Sequence, residues 1–318
     1  MKKQILAVIT AAACITAGTA TAVSARANPT FTIGICQFEQ HNALVSATRG
    51  FKDAITESLG DSVTFLEQNA QGDHATCSSI VTDFLAKDVD LILANSTASL
   101  QAAATATTDI PILGTSVTEY GAALQLDDFD GTAGGNISGT SDLAPLKEQA
   151  AMVQELFPEA QNVGLLYCSA EPNSQYQAEV VREELEALGY TCSDYTFSDS
   201  NDISSVTMAA ASKCDIIYVP TDNTAASNAE LIANICIPEK VPVIAGDEST
   251  CRLCGVATFS LDYYDIGYTT GEMAVRILAN GEDISEMPVE YSDHFVKRYN
   301  ADICTQLGID IPEDYTAL

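Results

Sequence analysis

Short apolar runs recur along this chain, separated by longer stretches with helical spacing. Thr32-Ile-Gly-Ile-Cys36, Asp90-Leu-Ile-Leu-Ala-Asn95, Ile110-Pro-Ile-Leu-Gly114, Val163-Gly-Leu-Leu-Tyr167, Asp215-Ile-Ile-Tyr-Val219 and Val241-Pro-Val-Ile-Ala245 are rich in Ile, Val and Leu and do not alternate with polar residues. Strands buried on both faces of a parallel sheet read this way. Helical patterns fall between them: Leu44–Leu59, Ala75–Leu85 and Ala98–Thr105, then Ser174–Leu188, Ile203–Ala211 and Ala225–Cys236. Strand and helix in alternation predict an α/β fold with doubly wound parallel sheets.

The pattern occurs twice, at a spacing of about 130 residues. Thr32-Ile-Gly-Ile-Cys36 before Glu39 matches Val163-Gly-Leu-Leu-Tyr-Cys168 before Glu171. Asp90-Leu-Ile-Leu-Ala-Asn-Ser-Thr97 matches Asp215-Ile-Ile-Tyr-Val-Pro-Thr-Asp222, and Asp109-Ile-Pro-Ile-Leu-Gly-Thr-Ser116 matches Lys240-Val-Pro-Val-Ile-Ala-Gly-Asp247. Two lobes follow. Gly134-Gly135-Asn136 is the candidate crossover between them, Leu261-Asp-Tyr-Tyr-Asp265 crosses back, and a long helix runs from about Ile266 to Ala279 before a terminal segment from Pro288. Several crossovers make a hinge, which suits closure around a ligand. The expected organisation is a signal peptide over 1–27, a first lobe over 28–140 plus 262–287, and a second over 141–261 plus 288–318.

Composition narrows the function. The 318 residues carry 14 Lys and Arg against 44 Asp and Glu, a formal charge of −30, which repels nucleic acid and anionic lipid. Trp is absent, which weighs against a sugar site built on a large stacking platform. Met1-Lys2-Lys3, the apolar stretch Ile5–Ala13 and the Ala-x-Ala patterns at Ala20–Ala22 and Ala25–Ala27 read as a secretory signal peptide. Its removal takes the charge to −33. Cys14, after Ala11-Ala12-Ala13, is a candidate lipid-attachment cysteine without the Leu expected three residues earlier. The protein is expected to be exported, periplasmic or at the cell surface, and monomeric.

Nine cysteines follow the signal peptide, an odd number that cannot all pair within one chain. Cys251-Arg-Leu-Cys254 has redox-motif spacing, but Gly255-Val-Ala-Thr-Phe259 resumes a strand pattern at once. A turn is expected, inert or disulfide-closed. His41, His74 and His294 have no ligand spacing, so no metal is expected, and no phosphate loop, dinucleotide fingerprint or nucleophile motif calls for a cofactor.

The loops after the strands carry the candidate chemistry, because ligands of open parallel sheets bind beyond the strands' carboxyl ends. Ser96 and Thr97 open a helix after one strand and Thr115 and Ser116 end the next, offering hydroxyls and free N–H groups to a carboxylate. The second lobe offers acids at equivalent places: Glu171, Asp222, and Asp247 with Glu248. This division matches a zwitterion, carboxylate on lobe one and ammonium on lobe two. Phe38, Tyr120 and Tyr176 are candidates for an apolar slot.

Further segments carry a family resemblance: Gln37-x-x-x-His41-x-Ala43-Leu44, Asp109-Ile-Pro111, Gly134-Gly-Asn-Ile-Ser-Gly-Thr-Ser-Asp142, Glu171-x-Asn173-Ser174, Pro220-Thr-Asp-Asn-Thr224, Asp262-Tyr-Tyr-x-x-Gly267 and Leu307-Gly-Ile-x-Ile-Pro312. In this order, from about Phe31 to Pro312, they resemble the extracytoplasmic substrate-binding proteins of ABC importers, in the branch associated with tryptophan, tyrosine and phenylalanine. The resemblance implies a type I periplasmic-binding-protein fold that delivers a small ligand to a membrane permease and is not an enzyme. It also implies a ligand shell of Ser96, Thr97, Thr115, Ser116, Ser141, Asp142, Glu171, Asn173, Ser174, Asp222 and Asp247. Asn42 stands where the family commonly has Pro, and Glu119-Tyr120 where it commonly has Asp-Pro. Two alternatives compete: a sensory ligand-binding subunit docking to a receptor, and an exported thiol oxidoreductase using Cys251 and Cys254.

Overall fold

The computed structural model describes residues 30–318; the expected signal peptide, its cleavage sites and Cys14 lie outside the described residues. The first lobe runs β1 (Phe31–Gln37), α1 (Asn42–Leu59), β2 (Val63–Asn69), α2 (His74–Ala86), β3 (Leu91–Asn95), α3 (Thr97–Ala106), β4 (Ile112–Val117), α4 (Tyr120–Leu124) and β5 (Ile137–Ser141). The second runs α5 (Leu146–Leu156), β6 (Asn162–Cys168), α6 (Pro172–Ala187), β7 (Thr191–Phe197), α7 (Ile203–Ala211), β8 (Ile216–Val219), α8 (Asn223–Ser227), α9 (Ala229–Glu239), β9 (Val243–Ala245), α10 (Glu248–Leu253) and β10 (Ala257–Ser260). The chain then returns through α11 (Tyr263–Asn280) and β11 (Glu290–Tyr291) to the first lobe, and ends in the second with β12 (Val296–Tyr299), α12 (Ala301–Leu307) and β13 (Thr316–Ala317).

Two sheets result, ordered β11-β5-β4-β3-β1-β2 and β13-β12-β10-β9-β8-β6-β7. All pairings are parallel except β10 with β12. Every residue of β3, β4, β8 and β9 is buried, as the unbroken apolar runs require. Within the described residues the chain crosses between sheets three times: after β5, after β10 and after β11.

The crossovers correct three expectations. Gly134 and Gly135, at φ 74° and 60°, form the turn into β5, which still belongs to the first sheet; the crossing comes after Ser141. Glu290 and Tyr291, expected in the second lobe, pair with Thr140 and Ser141 in the first sheet. Of Leu261–Asp265, only Leu261 and Asp262 precede α11, with the Asp262 side chain capping it through Tyr264 N–H. The helix expected over Ala225–Cys236 is two helices, α8 and α9. Asn228 breaks it, and its side chain donates back to the Thr224 carbonyl.

The cysteines also differ from expectation. All nine in the described residues are unpaired thiols, so the expected disulfide option for Cys251 and Cys254 is absent. Nor do they form a turn: Cys251 lies in the last turn of α10 and Cys254 caps its end. Both are buried, and burial pushes their thiols well above the ordinary range, the reverse of what a nucleophilic thiol needs. Only Cys192 is half-exposed among the described cysteines, and burial pushes its thiol up to about 11. Alkylation of the native protein at pH 8 should therefore label Cys192 alone, slowly, with the other thiols appearing on unfolding; peptide mass mapping checks this.

Candidate functional site

Three helix N-termini converge where the lobes meet: α1 from the first lobe, α8 and α10 from the second. Around them lies an inner cavity of about 10 Å³, lined by His41, Ala43, Leu44, Ser116, Thr118, Asp142, Asn173, Thr221, Asp222, Asn223, Ala226, Asp247 and Tyr263. That volume holds about one water molecule, and no amino acid enters it unless the lobes part. A larger, open cavity of about 430 Å³ adjoins it, sharing Ala43 and Tyr263.

The two lobes present different chemistry. On the second, Asp222 caps α8 through Ala225 N–H at 2.7 Å and accepts from Cys168 N–H at 2.6 Å. Asp247 caps α10 through Thr250 N–H and accepts from the hydroxyls of Ser249 and Thr250. On the first lobe, α1 has no side-chain cap, and among the described residues the N–H groups of Ala43 and Leu44 find no acceptor. Both residues are buried and line the cavity, so these donors are free for an anion.

Eight buried side-chain polar atoms of the described residues lack a partner, and three belong to residues that line this cavity: His41 Nδ1, Ser116 Oγ and Asp142 Oδ1. Such atoms are costly to bury and rare without a ligand or water. Ser116 also has φ 54°, at the point where β4 slips register against β5, a strained conformation of the kind concentrated at binding sites. Asp142 accepts from the Tyr263 hydroxyl through its other oxygen at 2.8 Å. Burial, and more weakly Asp247, push its carboxyl up to about 6. Burial and neighbouring Glu171 push the Asp222 carboxyl up as well. Three carboxyl groups thus face a cavity whose lining includes neither Lys nor Arg.

Of the expected shell, Ser116, Asp142, Asn173, Asp222 and Asp247 line the cavity. The others lie off it and are bonded elsewhere or packed. Ser96 caps α3 through Ser99 N–H, Thr115 accepts from the Thr140 hydroxyl, and Ser141 donates to the Thr118 carbonyl. Thr97 is buried in the first turn of α3, and Ser174 accepts from Asn173. Glu171 is saturated, accepting from the backbone and side chains of Asn223 and Thr224. Glu248 pairs with Arg252 beside the outer cavity. None of the proposed slot aromatics lines the inner cavity: Phe38 and Tyr120 are core residues of the first lobe, and Tyr176 packs on the second lobe's core. His41, Thr118, Thr221, Asn223 and Tyr263 were not anticipated. His41 ends the loop after β1 and occupies the N-cap position of α1, as Ser96 does for α3, and that position was the available signal.

Two facing α/β lobes with a cleft beyond the carboxyl ends of their strands define the type I periplasmic-binding-protein fold. The chain belongs to the ABC transporter substrate-binding protein family, whose profile matches residues 32–318. It is 34% identical over 264 residues to the tyrosine-binding protein of Clostridioides difficile strain R20291, covering 82% of this chain and 76% of that protein. A Streptococcus pneumonia ABC domain solved in complex with L-Trp is 30% identical, with TM-score 0.85 over 89% of this chain and 96% of the other. The ligand-free, open structure of a Clostridium difficile substrate-binding protein with adhesive properties is 35% identical, covering 91% and 99%, yet its TM-score is 0.69. A glucose-galactose binding protein of Geobacillus stearothermophilus, 14% identical with TM-score 0.60 over 85% and 97%, shares the fold alone. Among the described residues no helix is long and apolar enough to cross a membrane.

Proposed function

We propose that this protein captures an aromatic amino acid between its lobes by hinge closure and delivers it to the membrane permease of an ABC importer, working as an exported monomer. The observation that carries the ligand class is the polarity of the inner cavity. Asp142, Asp222 and Asp247 line it with neither Lys nor Arg beside them, while α1 and Ser116 offer unpaired donors. A zwitterion satisfies both sets: its ammonium balances the buried carboxylates and its carboxylate takes the open N–H groups. The donor set differs from the expected one. The open helix start on the first lobe belongs to α1, whereas Ser96 partly closes that of α3.

The names of the tyrosine-binding relative and of the L-Trp complex support an aromatic side chain, with room towards the outer cavity beside Tyr263 and Tyr264. The small inner cavity supports opening before entry, as does the better superposition on the L-Trp complex than on the open, ligand-free structure. Ligand contacts to both lobes then favour the closed form.

A thermal-shift screen of the protein from about residue 28 onward, against the amino acids, sugars and nucleosides, tests this reading. Ligand at about 100 times its dissociation constant adds about 2.7 kcal/mol of stability. L-Tyrosine or L-tryptophan should stabilise, whereas tyramine, which lacks the carboxylate, and 3-(4-hydroxyphenyl)propanoate, which lacks the ammonium, should each bind ~100-fold or more weakly. Stabilisation by a sugar or nucleoside alone would refute the zwitterion.

A further inference from the structure

His41 makes a hydrogen bond between the lobes: its Nε2 lies 3.1 Å from Asn223 Oδ1. The direction of that bond follows from its neighbours. Asn223 also sets its Nδ2 2.7 Å from Glu171 Oε2, and Glu171 receives four further donors, from Asn223 N–H, Asn173 and Thr224. Both oxygens of that carboxyl group already accept from these donors, so the Asn223 atom facing it is the amide nitrogen. The opposite end, facing His41, is then the amide oxygen, which only accepts. His41 Nε2 therefore carries a hydrogen. In the neutral ring Nδ1 is left as a bare acceptor, and this is the atom found buried and unpartnered, on a residue that lines the inner cavity. It does not serve α1 either, because His41 occupies the N-cap position without accepting from the helix.

We propose that His41 is a positioning residue that couples ligand to closure: Nε2–H holds Asn223 of the second lobe, while Nδ1 accepts a hydrogen bond from the ligand's ammonium. This rests on the amino-acid reading above. The coupling is chemical. A donor on Nδ1 favours the tautomer with hydrogen on Nε2, the form that the bond between the lobes requires. Ligand binding and lobe closure thus select the same state of one ring. Asp142 Oδ1, an unpartnered carboxylate oxygen on another residue of the lining, shares the ammonium.

Nitrogen-15 spectra of the imidazoles test the proposal directly, because the full chain has only three histidines. With L-tyrosine bound, His41, assigned by its absence in His41→Ala, should show a protonated Nε2 and a hydrogen-bonded, unprotonated Nδ1. The opposite tautomer in the complex would overturn it. Two substitutions separate the roles. His41→Gln places an amide nitrogen near the Nε2 position and keeps the link to Asn223, whereas His41→Asn keeps an acceptor near Nδ1 but loses the reach. Each should weaken L-tyrosine binding about tenfold. In X-ray scattering at saturating L-tyrosine, Gln should remain as compact as wild type and Asn should be more open. Wild-type affinity in both variants would refute the dual role. If wild-type protein binds neither L-tyrosine nor L-tryptophan, the amino-acid reading fails and the Nδ1 contact with it. The link to Asn223 is then judged without ligand, where His41→Ala must scatter as a more open particle than wild type or that part fails too.

Discussion

Asp142→Asn should weaken binding of an aromatic amino acid by ~100-fold or more while making the ligand-free protein more stable at neutral pH. The binding loss follows from removing a buried charge partner of the ammonium, a change that costs about 2–5 kcal/mol in buried pairs. The gain in stability has the same origin. The Asp142 carboxyl is buried, one oxygen has no partner, and its folded pKa of about 6 lies above the ordinary carboxylate value. A group raised in this way gives its full contribution below the unfolded value near 4 and loses it as pH rises through the folded value. At pH 7.5 the ionised carboxylate carries the whole cost, on the order of 3 kcal/mol. Asparagine keeps an acceptor for the Tyr263 hydroxyl and carries no charge. Denaturant unfolding should therefore show the variant more stable than wild type at pH 7.5 and level with it at pH 4. Equal stability at both values, with binding intact, would remove Asp142 from the site.

The second large effect concerns the frame that carries the hinge. Helices α1 and α11 cross so closely that a Cβ on Gly267 would sit 1.9 Å from the Ala47 carbonyl oxygen, and one on Gly50 2.1 Å from that of Tyr264. These neighbours are backbone atoms, so relief requires moving a whole helix. Gly267→Ala gains about 1 kcal/mol of helix propensity, but the overpacking outweighs it, for a net loss of about 3 kcal/mol. The melting temperature should fall by roughly 6 °C or more. Because α11 begins immediately after the β10 crossover, ligand affinity should fall as well. An unchanged melting temperature would mean that the helices do not cross this closely.

These two residues also show what could be read from the linear chain. Asp142 was reachable through a family resemblance, whereas Gly267 appeared in the motif Asp262-Tyr-Tyr-x-x-Gly267 with no reason for being glycine; the reason is a carbonyl more than two hundred residues away. Ser96 and Glu171 show the converse. A serine opening a helix and an acid after a strand are sound candidates for ligand contact, yet Ser96 serves the N–H of Ser99 and Glu171 is used up by α8. Residue type and position announce a hydrogen-bonding group, but not whether that group is already taken. Phe38 and Tyr120 were open to either reading for the same reason, and packing placed both in the core.

The sequence by itself determined the strands, most of the helices and the two-lobed plan. Apolar periodicity and the doubled order of elements are local properties, set by backbone geometry and by the need to bury one face or both. Where the crossovers fall, which helix start remains open and which carboxylate keeps a free oxygen were decided only by the tertiary structure. His41, Ser116, Asp142, Asp222, Asp247 and Tyr263 are far apart along the chain and meet because three crossovers fold one lobe onto the other. A free donor or acceptor is defined by what lies near it in space, and spacing along the chain carries no record of that.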